Sequence, residues 1–222
     1  MSLRSRIVAC ERCPRLRAHC RQVAEVKRRA YRDETYWGRP VPSFGRLDAG
    51  LWVIGLAPGA HGANRTGRIF TGDSSGDWLY RALYEHGFAN QPEATGRHDG
   101  LRLEDARVTG AARCAPPDNK PTRAELEACR PYLVEELAGA RRIRVAIALG
   151  KIGFDTFVKA WGEAGRPRFD PRPKFGHGTE ARCGRVALLA SYHPSRQNTQ
   201  TGRLTRAMFH NVFVRARTML DG

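Results

Sequence analysis

The sequence predicts an α/β fold, a single domain over residues 1–222 built as three αβα layers with a central, mostly parallel four-stranded sheet. Four short apolar runs alternate with helical patterns, which implies right-handed crossovers and a parallel sheet that is covered on both sides. The length of 222 residues suits one domain, at roughly 100–200 residues per domain, and 41% hydrophobic residues can fill its core.

The first predicted elements surround a glycine-rich loop. Residues 15–31 are basic and helix-like, and LWVIGL at 51–56 is a continuous apolar run that predicts the first buried strand. The loop 57–76 follows this strand. The segment DWLYRALYEHG then predicts a helix that is capped by Ser74 or Ser75.

The second half of the chain repeats the alternation. Thr122 and Glu125 predict a capping box at the start of a helix, because each side chain can bond the other residue's backbone N–H. The predicted elements are strands at 106–114, 143–150 and 186–195, and helices at 122–138, after Gly150 and at about 205–220.

The chain is strongly basic, with 38 Lys and Arg against 22 Asp and Glu and a formal net charge of +16. The excess lies toward the two ends of the chain, and most of the cations are Arg, whose fork suits phosphate oxygens. Such a basic face predicts binding to nucleic acid or to another polyanion. A GC-rich genome also raises Arg content, so a basic surface without a polyanion partner is the alternative.

The sequence has no segment that predicts a membrane partner. No apolar run approaches the ~18 residues of a membrane helix, and the N-terminus lacks the apolar region of a secretory signal. We therefore expect a cytoplasmic, nucleoid-associated protein.

Six cysteines in a reducing compartment predict a metal or catalytic site rather than disulfides. Cys10 and Cys13 form a CxxC pair, and Cys114 and Cys129 follow much later. Four thiolates suit zinc or a [4Fe–4S] cluster, and the wide second pair favours the cluster because zinc ribbons usually carry two close pairs. Four unrelated core cysteines are the alternative. Two further cysteines are expected to be structural, Cys20 and Cys183.

Three unusual segments follow predicted strands: GLAPG…TGRIFTGDSSG, RCAPPDNKP and SYHPSRQNTQTGRLT. In open parallel sheets, ligands bind beyond the carboxyl ends of the strands, so these segments predict one site. The glycine-rich loop fits neither G-x-x-x-x-G-K-[ST] nor G-x-G-x-x-G, which disfavours a nucleotide-binding protein.

Two residues in these segments are candidate catalytic residues. Asp73 precedes a predicted helix, and an Asp at that place most often caps the helix. His193 ends an apolar strand, where a lone His is most often structural. A strand-end His in a nucleic-acid-binding chain is nevertheless well placed to donate a hydrogen bond to a leaving group.

The same segments, GLAPGAHGANRTGRIFTGDSSG, RCAPPDNKPT…EAC and HPSRQNTQTGRLT, resemble the motifs of the uracil-DNA glycosylase superfamily, over residues 10–206. The CxxC with the later Cys pair is similar to its iron–sulfur branches. GLAPG, with apolar Leu56 and Ala57, resembles family 5 rather than family 4, whose first motif reads GEAPG. The resemblance implies the fold of these enzymes and a [4Fe–4S] cluster that ties the N-terminal arm to the helix at Cys129.

The resemblance further implies a monofunctional DNA glycosylase, which flips uracil out of DNA and hydrolyses the N-glycosidic bond to start base excision repair. Phe70 would stack on the flipped base, the Gly55–Gly59 backbone would form the pocket wall, and His193 would stabilise the uracil anion. The usual first-motif carboxylate is missing, so we expect Asp73 to orient water and to stabilise the cationic sugar. Asn119 is the expected second polar group, in contact with base or water, with a simple turn residue as its alternative.

The apolar pocket predicts poor discrimination, and therefore activity on uracil, on modified uracils and on deaminated purines such as hypoxanthine. Phosphate contacts are expected from Arg196 and Arg203, and next from Lys120. Leu204 or Gln197 is expected to fill the gap that the flipped base leaves in the duplex. We expect the protein to act as a monomer.

Two other functions remain open from the sequence. A non-catalytic nucleic-acid-binding module with zinc or a cluster would explain the charge and the cysteines, although it leaves the TGD and HPS segments unexplained. A different base excision activity, such as removal of mismatched thymine, is the second alternative.

Overall fold

The four predicted apolar runs form the centre of one sheet. The computed structural model describes residues 1–222. The strands are β1 Phe44–Gly45, β2 Leu51–Gly55, β3 Ala106–Gly110, β4 Val145–Leu149, β5 Glu180–Cys183 and β6 Val186–Ser191. Their order in the sheet is β1-β3-β2-β4-β6-β5, and the central strands β3, β2, β4 and β6 are parallel. This arrangement confirms the α/β fold class.

The sheet has six strands, so the predicted number of four was wrong. β1 and β5 add antiparallel edges. β1 has two residues, and β5 reads EARC with largely exposed side chains, so neither produces an apolar run. The predicted strands 106–114 and 186–195 end early, at Gly110 and Ser191, because the residues that follow form the loops of the site.

Helices cover both faces of the sheet. The helices are α1 Leu3–Val8, α2 Pro14–Val26, α3 Ala63–Thr66, α4 Ser74–Glu85, α5 Arg123–Gly139, α6 Lys151–Glu163, α7 Arg196–Gln200 and α8 Arg206–Asp221. Successive residues of β2 alternate between the faces, as strand geometry requires, so Val53 packs toward α4 and α8 and Trp52 toward α5 and α6. No helix of the structure is both long and apolar enough to cross a bilayer.

The predicted capping box of α5 is confirmed. It also anchors the N-terminal arm, which is the part of the chain before β1, residues 1–43. The Glu125 N–H donates to Thr122 Oγ1, and the Thr122 N–H donates to Glu125 Oε2. Arg15 of α2 donates to both oxygens of the same carboxylate, each at 2.8 Å. Leu16 and Cys20 of α2 then pack on Cys114, beyond β3, in a small separate core. The arm is thus fixed against the segment that carries the later cysteines.

Candidate active site

A cleft of about 670 Å³ opens where β2, β3 and β6 end. This volume suits a ligand of nucleoside size, since ligand pockets measure about 300–1,000 Å³. Three loops that are far apart in the sequence converge on it, as the position beyond the strand ends predicts. The predicted residues that line the cleft are Leu56, Ala57, Gly59, Phe70, Asp73, Asn119, Lys120, His193, Arg196 and Gln197.

Phe70 is held in a backbone conformation that favours glycine. Its φ is 53°, which is uncommon for a bulky residue and persists only where the surroundings impose it. Gly55 provides part of that constraint, because a Cβ there would collide with the edge of the Phe70 ring. A Cβ on Gly76 would likewise overlap the Phe70 carbonyl oxygen. The two glycines therefore fix the aromatic ring in the cleft wall.

His193 stands beside Phe70 on a short, tightly bonded loop. The His193 carbonyl oxygen accepts from Ser195 N at 2.8 Å and from Asn198 Nδ2 at 2.9 Å, which fixes the chain after β6. The His193 and Phe70 rings are stacked, with centroids 5.7 Å apart and planes 29° apart. Burial lowers the pKa of His193 to about 4. The imidazole is therefore neutral at physiological pH and presents one N–H donor.

Asp73, not Ser74 or Ser75, is the N-cap of α4. Its Oδ1 accepts from the N–H groups of Ser75 and Gly76, both at 3.1 Å. Its Oδ2 lies beside Gly62, where a Cβ would collide with it. Burial raises the pKa of Asp73, and the two backbone donors oppose that shift. One oxygen thus serves the helix, and the other lies against glycines of the cleft lining.

Asn119 belongs to a strained turn at the rim. Asp118 and Asn119 have consecutive positive φ angles of 53° and 56°, a conformation that Asn and Asp tolerate better than other non-glycine residues. The side chain of Asn119 is exposed. Its position in the cleft lining agrees with the prediction of a polar contact to a ligand, although a turn residue would also stand there.

The structure adds cleft residues that the sequence did not predict. Arg28 and Tyr31 of the arm form part of the wall, together with His61 and Ser195. Arg65 explains the place of Tyr31, since its guanidinium lies 3.9 Å from the ring centroid of Tyr31. No local pattern around Arg28 or Tyr31 indicates this role. His61 and Ser195 stand within the HGANR and HPS segments, which could have suggested them.

The structure contradicts one predicted DNA contact. Leu204 is fully buried, at 0% exposure, in the core between the sheet and α8, so it cannot enter a duplex. Gln197 is exposed and lines the cleft, which leaves it as the candidate wedge. Arg203 lies outside the cleft lining, with its guanidinium 4.7 Å from the centroid of the Tyr192 ring. Arg196 reaches across the cleft to Ser74, with its Nε donating to Ser74 Oγ at 3.4 Å.

The four predicted ligand cysteines meet in a second place, the cysteine cavity. This small cavity between α2, α5 and the segment after β3 is lined by Cys10, Cys13, Cys114 and Cys129. All four are free thiols. The two remaining cysteines, Cys20 and Cys183, are buried, as predicted for structural residues.

The donor set of the cysteine cavity fits an iron–sulfur cluster. Four cysteines are the usual ligand set of such a cluster. No three His, Cys, Asp or Glu side chains of residues 1–222 lie close enough to share a single metal ion. Burial raises the pKa of Cys129 to about 11, so its thiolate needs an electropositive centre to be stable.

Comparison with known proteins identifies the superfamily of this chain. The profile of the Uracil DNA glycosylase superfamily matches residues 42–217, which span the whole sheet from β1 to β6 and most of α8. The chain therefore belongs to that superfamily.

Individual relatives identify the branch. A type-5 uracil-DNA glycosylase of Thermus thermophilus is 49% identical over 96% of this chain and 94% of its own length. One from Mycobacterium bovis is 47% identical over 98% of this chain and 80% of its own length. One from Pyrobaculum aerophilum is 42% identical over 96% of this chain and 89% of its own length. The chain is a member of the type-5 uracil-DNA glycosylase family.

Proposed function

We propose that the protein excises uracil from DNA as a monofunctional glycosylase, with the cleft as its active site. One observation carries the proposal. Phe70, Asp73, Asn119 and His193 come from three loops that are separated in the sequence, and they line a single cleft of nucleoside size. A base can reach such a cleft only after it rotates out of the duplex.

His193 is proposed to stabilise the departing base. When the bond between sugar C1′ and the base nitrogen breaks, its electron pair moves to the base and charges the uracil carbonyl oxygens. A neutral imidazole N–H that points at such an oxygen stabilises this charge by a hydrogen bond without itself being positively charged. The low pKa of His193, caused by burial, supports the neutral form.

Asp73 is proposed to serve the sugar side of the reaction. Breaking the bond leaves positive charge on the sugar, which a nearby carboxylate stabilises. The Oδ2 of Asp73 can also orient a water toward C1′ and accept its proton, because the raised pKa makes this carboxylate a stronger base than an ordinary Asp. Asn119, at the rim, would hold the base or that water.

Phe70 is proposed as the stacking surface for the flipped base. The Phe70 and His193 rings are stacked with their centroids 5.7 Å apart, which leaves too little space for a base between them. A base that stacks on Phe70 therefore takes the place of the His193 ring on that face. His193 then meets the edge of the base, where the carbonyl oxygens lie.

The pocket is proposed to accept several bases. Leu56 and Ala57 line the cleft with apolar side chains and supply no side-chain donor that would read a particular base. Selection by shape alone separates similar bases weakly. Hypoxanthine and modified uracils are therefore proposed as further substrates.

DNA affinity is proposed to come mainly from phosphate contacts at the cleft. Arg196 and Lys120 are exposed residues of the lining. Arg203 lies on the segment that follows α7, with its guanidinium over the Tyr192 ring. Gln197 would enter the space that the flipped nucleotide leaves.

A [4Fe–4S] cluster is proposed in the cysteine cavity, held by Cys10, Cys13, Cys114 and Cys129. Such a cluster would supply a covalent staple between the arm and α5. The cavity contains none of the reaction residues, which supports a structural role.

A strand-break assay tests the activity. The protein is incubated with a labelled duplex that carries one uracil, and with a matched duplex that carries thymine at the same place. Breakage of the uracil strand only after alkali is the expected result, because a monofunctional glycosylase leaves an intact abasic strand. An intact uracil strand with retained DNA binding would instead support a non-catalytic binding module.

A substrate panel tests the breadth of the pocket. Duplexes with hypoxanthine, a modified uracil or mismatched thymine replace the uracil duplex in the same assay. Cleavage of the hypoxanthine strand is expected, and excision of uracil alone would contradict the proposed breadth.

A further inference from the structure

Two buried arginines line the cysteine cavity, and burial of a cation is costly unless an anion lies nearby. Arg17 of α2 is 4% exposed and Arg113, after β3, is 2% exposed. Arg17 has a single carboxylate partner, Glu11, at 3.3 Å, and the Glu11 side chain is itself more than half exposed to water. The charge of Arg17 in particular is therefore poorly compensated by protein groups.

Each of these arginines also has a buried N–H group that bonds to no protein atom. The unpartnered atoms are Arg17 Nη1 and Arg113 Nε. The neighbouring nitrogens are satisfied, since Arg17 Nη2 donates to the Gly38 carbonyl at 3.1 Å and Arg113 Nη2 donates to Glu136 at 2.8 Å. Buried N–H groups are nearly always hydrogen-bonded in folded proteins. The residues that carry these two donors both line the cysteine cavity, so an acceptor inside it would satisfy them.

We infer that Arg17 and Arg113 bind the iron–sulfur cluster directly, as charge partners and as hydrogen-bond donors to its sulfur atoms. The inference rests on the cluster proposed above. Four thiolates give the complete cluster a net negative charge, which suits two buried guanidinium groups. Hydrogen bonds to cluster sulfurs and charges near the ligands are known to control how firmly such groups are held. The two arginines are positioning residues of the cofactor, outside the reaction itself.

Arg17→Gln and Arg21→Gln form a matched pair for the test. Arg21 lies one turn further along α2, and its Nη2 also contacts Glu11, at 2.6 Å. Its side chain is mostly exposed and does not line the cavity. Both variants remove one positive charge and one contact to Glu11, but only Arg17→Gln removes a donor to the cluster.

The holoproteins are purified without oxygen and exposed to an iron chelator, and the loss of visible absorbance is followed. We expect Arg17→Gln to lose the cluster about 10- to 100-fold faster than the wild type, the usual effect on metal retention of removing a residue that hydrogen-bonds to the bound group. Arg21→Gln is expected to match the wild type. Arg17→Lys, which keeps the charge, is expected to restore part of the retention.

Resonance Raman spectra of the Fe–S stretching bands separate this role from general stability. Loss of a hydrogen bond to a cluster sulfur shifts these bands in Arg17→Gln, whereas a merely looser fold does not. Should Arg17→Gln fail to fold, Arg113→Lys and Arg107→Lys provide a second pair. Both residues donate to Glu136 at 2.8 Å and both have a buried, unpartnered Nε, but Arg107 does not line the cavity.

The outcomes separate this inference from the cluster itself. Iron-loaded Arg17→Gln and Arg21→Gln with equal bleaching rates and identical spectra would overturn the role of Arg17. A wild-type protein that contains no iron after anaerobic purification would overturn the proposed cluster, and this inference with it.

Discussion

The cleft that we propose as the active site and the cysteine cavity differ in the charged groups that they bury. In the cleft, burial removes charge from His193 by lowering its pKa to about 4, and it raises the pKa of Asp73. In the cysteine cavity, two arginine side chains are buried, and a guanidinium group is always charged in proteins. In the cleft, burial thus favours the uncharged form of both side chains. In the cavity, buried positive charge suits the anionic cluster that we propose there.

Among changes in the cleft, substitution of Asp73 is expected to lower the turnover rate most. Asp73→Asn keeps the helix cap, since Asn caps as well as Asp, but it loses the base. We expect its turnover to fall by about 10²–10⁴-fold, the range of general-base help. Asp73→Ala should lose the same activity and in addition about 1 kcal/mol of stability from the missing cap. Single-turnover kinetics and thermal unfolding of both variants check this, and equal stability of the two would contradict the capping role.

The pH profile gives a second test of Asp73. Because burial raises the pKa of Asp73, its carboxylate form is present above that pKa and is lost as the pH falls through it. We therefore expect the wild-type rate to fall on the acid side at a higher pH than an ordinary Asp would produce. Asp73→Asn should lack this acid limb, and an unchanged limb in that variant would assign it to another group.

Gly62→Ala is expected to have a smaller effect on the same carboxylate. An alanine Cβ would collide with Asp73 Oδ2 and displace it, and a misplacement of about 1 Å can cost about 10²-fold in rate. Gly96→Ala is the matched control, because a Cβ there meets no atom within 4 Å. Single-turnover rates for the two variants are compared. Equal rates would show that the position of Oδ2 does not limit the reaction.

Cys129→Ser tests the cavity side. We expect it to lose iron and to unfold at least about 4 °C below the wild type, which is about 1–2 kcal/mol for a chain of this length. Cys183→Ser is the control, since Cys183 is a buried cysteine that lies outside the cavity and donates to the Pro167 carbonyl. Iron analysis and thermal unfolding are measured on both proteins. Equal iron content would remove Cys129 from the ligand set.

Arg196→Gln should give the smallest effect, on DNA affinity alone. Loss of one phosphate contact should reduce the slope of log Kd against log salt by about 1. Arg215→Gln, on the outer side of α8 and paired with Glu180, should leave the slope unchanged. Binding to an uncleavable duplex is measured over a range of salt concentrations, and equal slopes would place Arg196 away from the phosphates.

The sequence predicted those parts of the molecule that have strong local patterns. The central strands are continuous apolar runs because helices cover both faces, and the loops that follow them converge because parallel strands end at one edge. The edge strands β1 and β5 have no such pattern, since one is very short and the other is exposed. Strands whose sequence continues into the loops of the site were predicted to be too long, as for β3 and β6.

Other parts of the site depend on contacts between segments that are distant in the sequence. Tyr31 reaches the cleft because Arg65 holds it, and Leu204 is excluded from DNA because α8 folds over it. Arg17 and Arg113 look like ordinary cations of a basic chain until the fold buries them beside the cysteines. Spacing in the sequence predicted which cysteines meet, but it carried no information on the charges around them.

The variant His193→Ala tests most directly whether the reaction depends on the cleft and iron binding on the cysteine cavity. Free uracil released from a uracil-containing duplex and iron content are measured on the same preparations of wild type and variant. We predict that the wild type releases uracil, and that the variant is about 10²–10³-fold slower, the usual cost of one lost donor to a developing anion. The variant should keep all of its iron, because His193 lies outside the cysteine cavity. A fully active His193→Ala protein, or one that has lost its iron, would contradict this account.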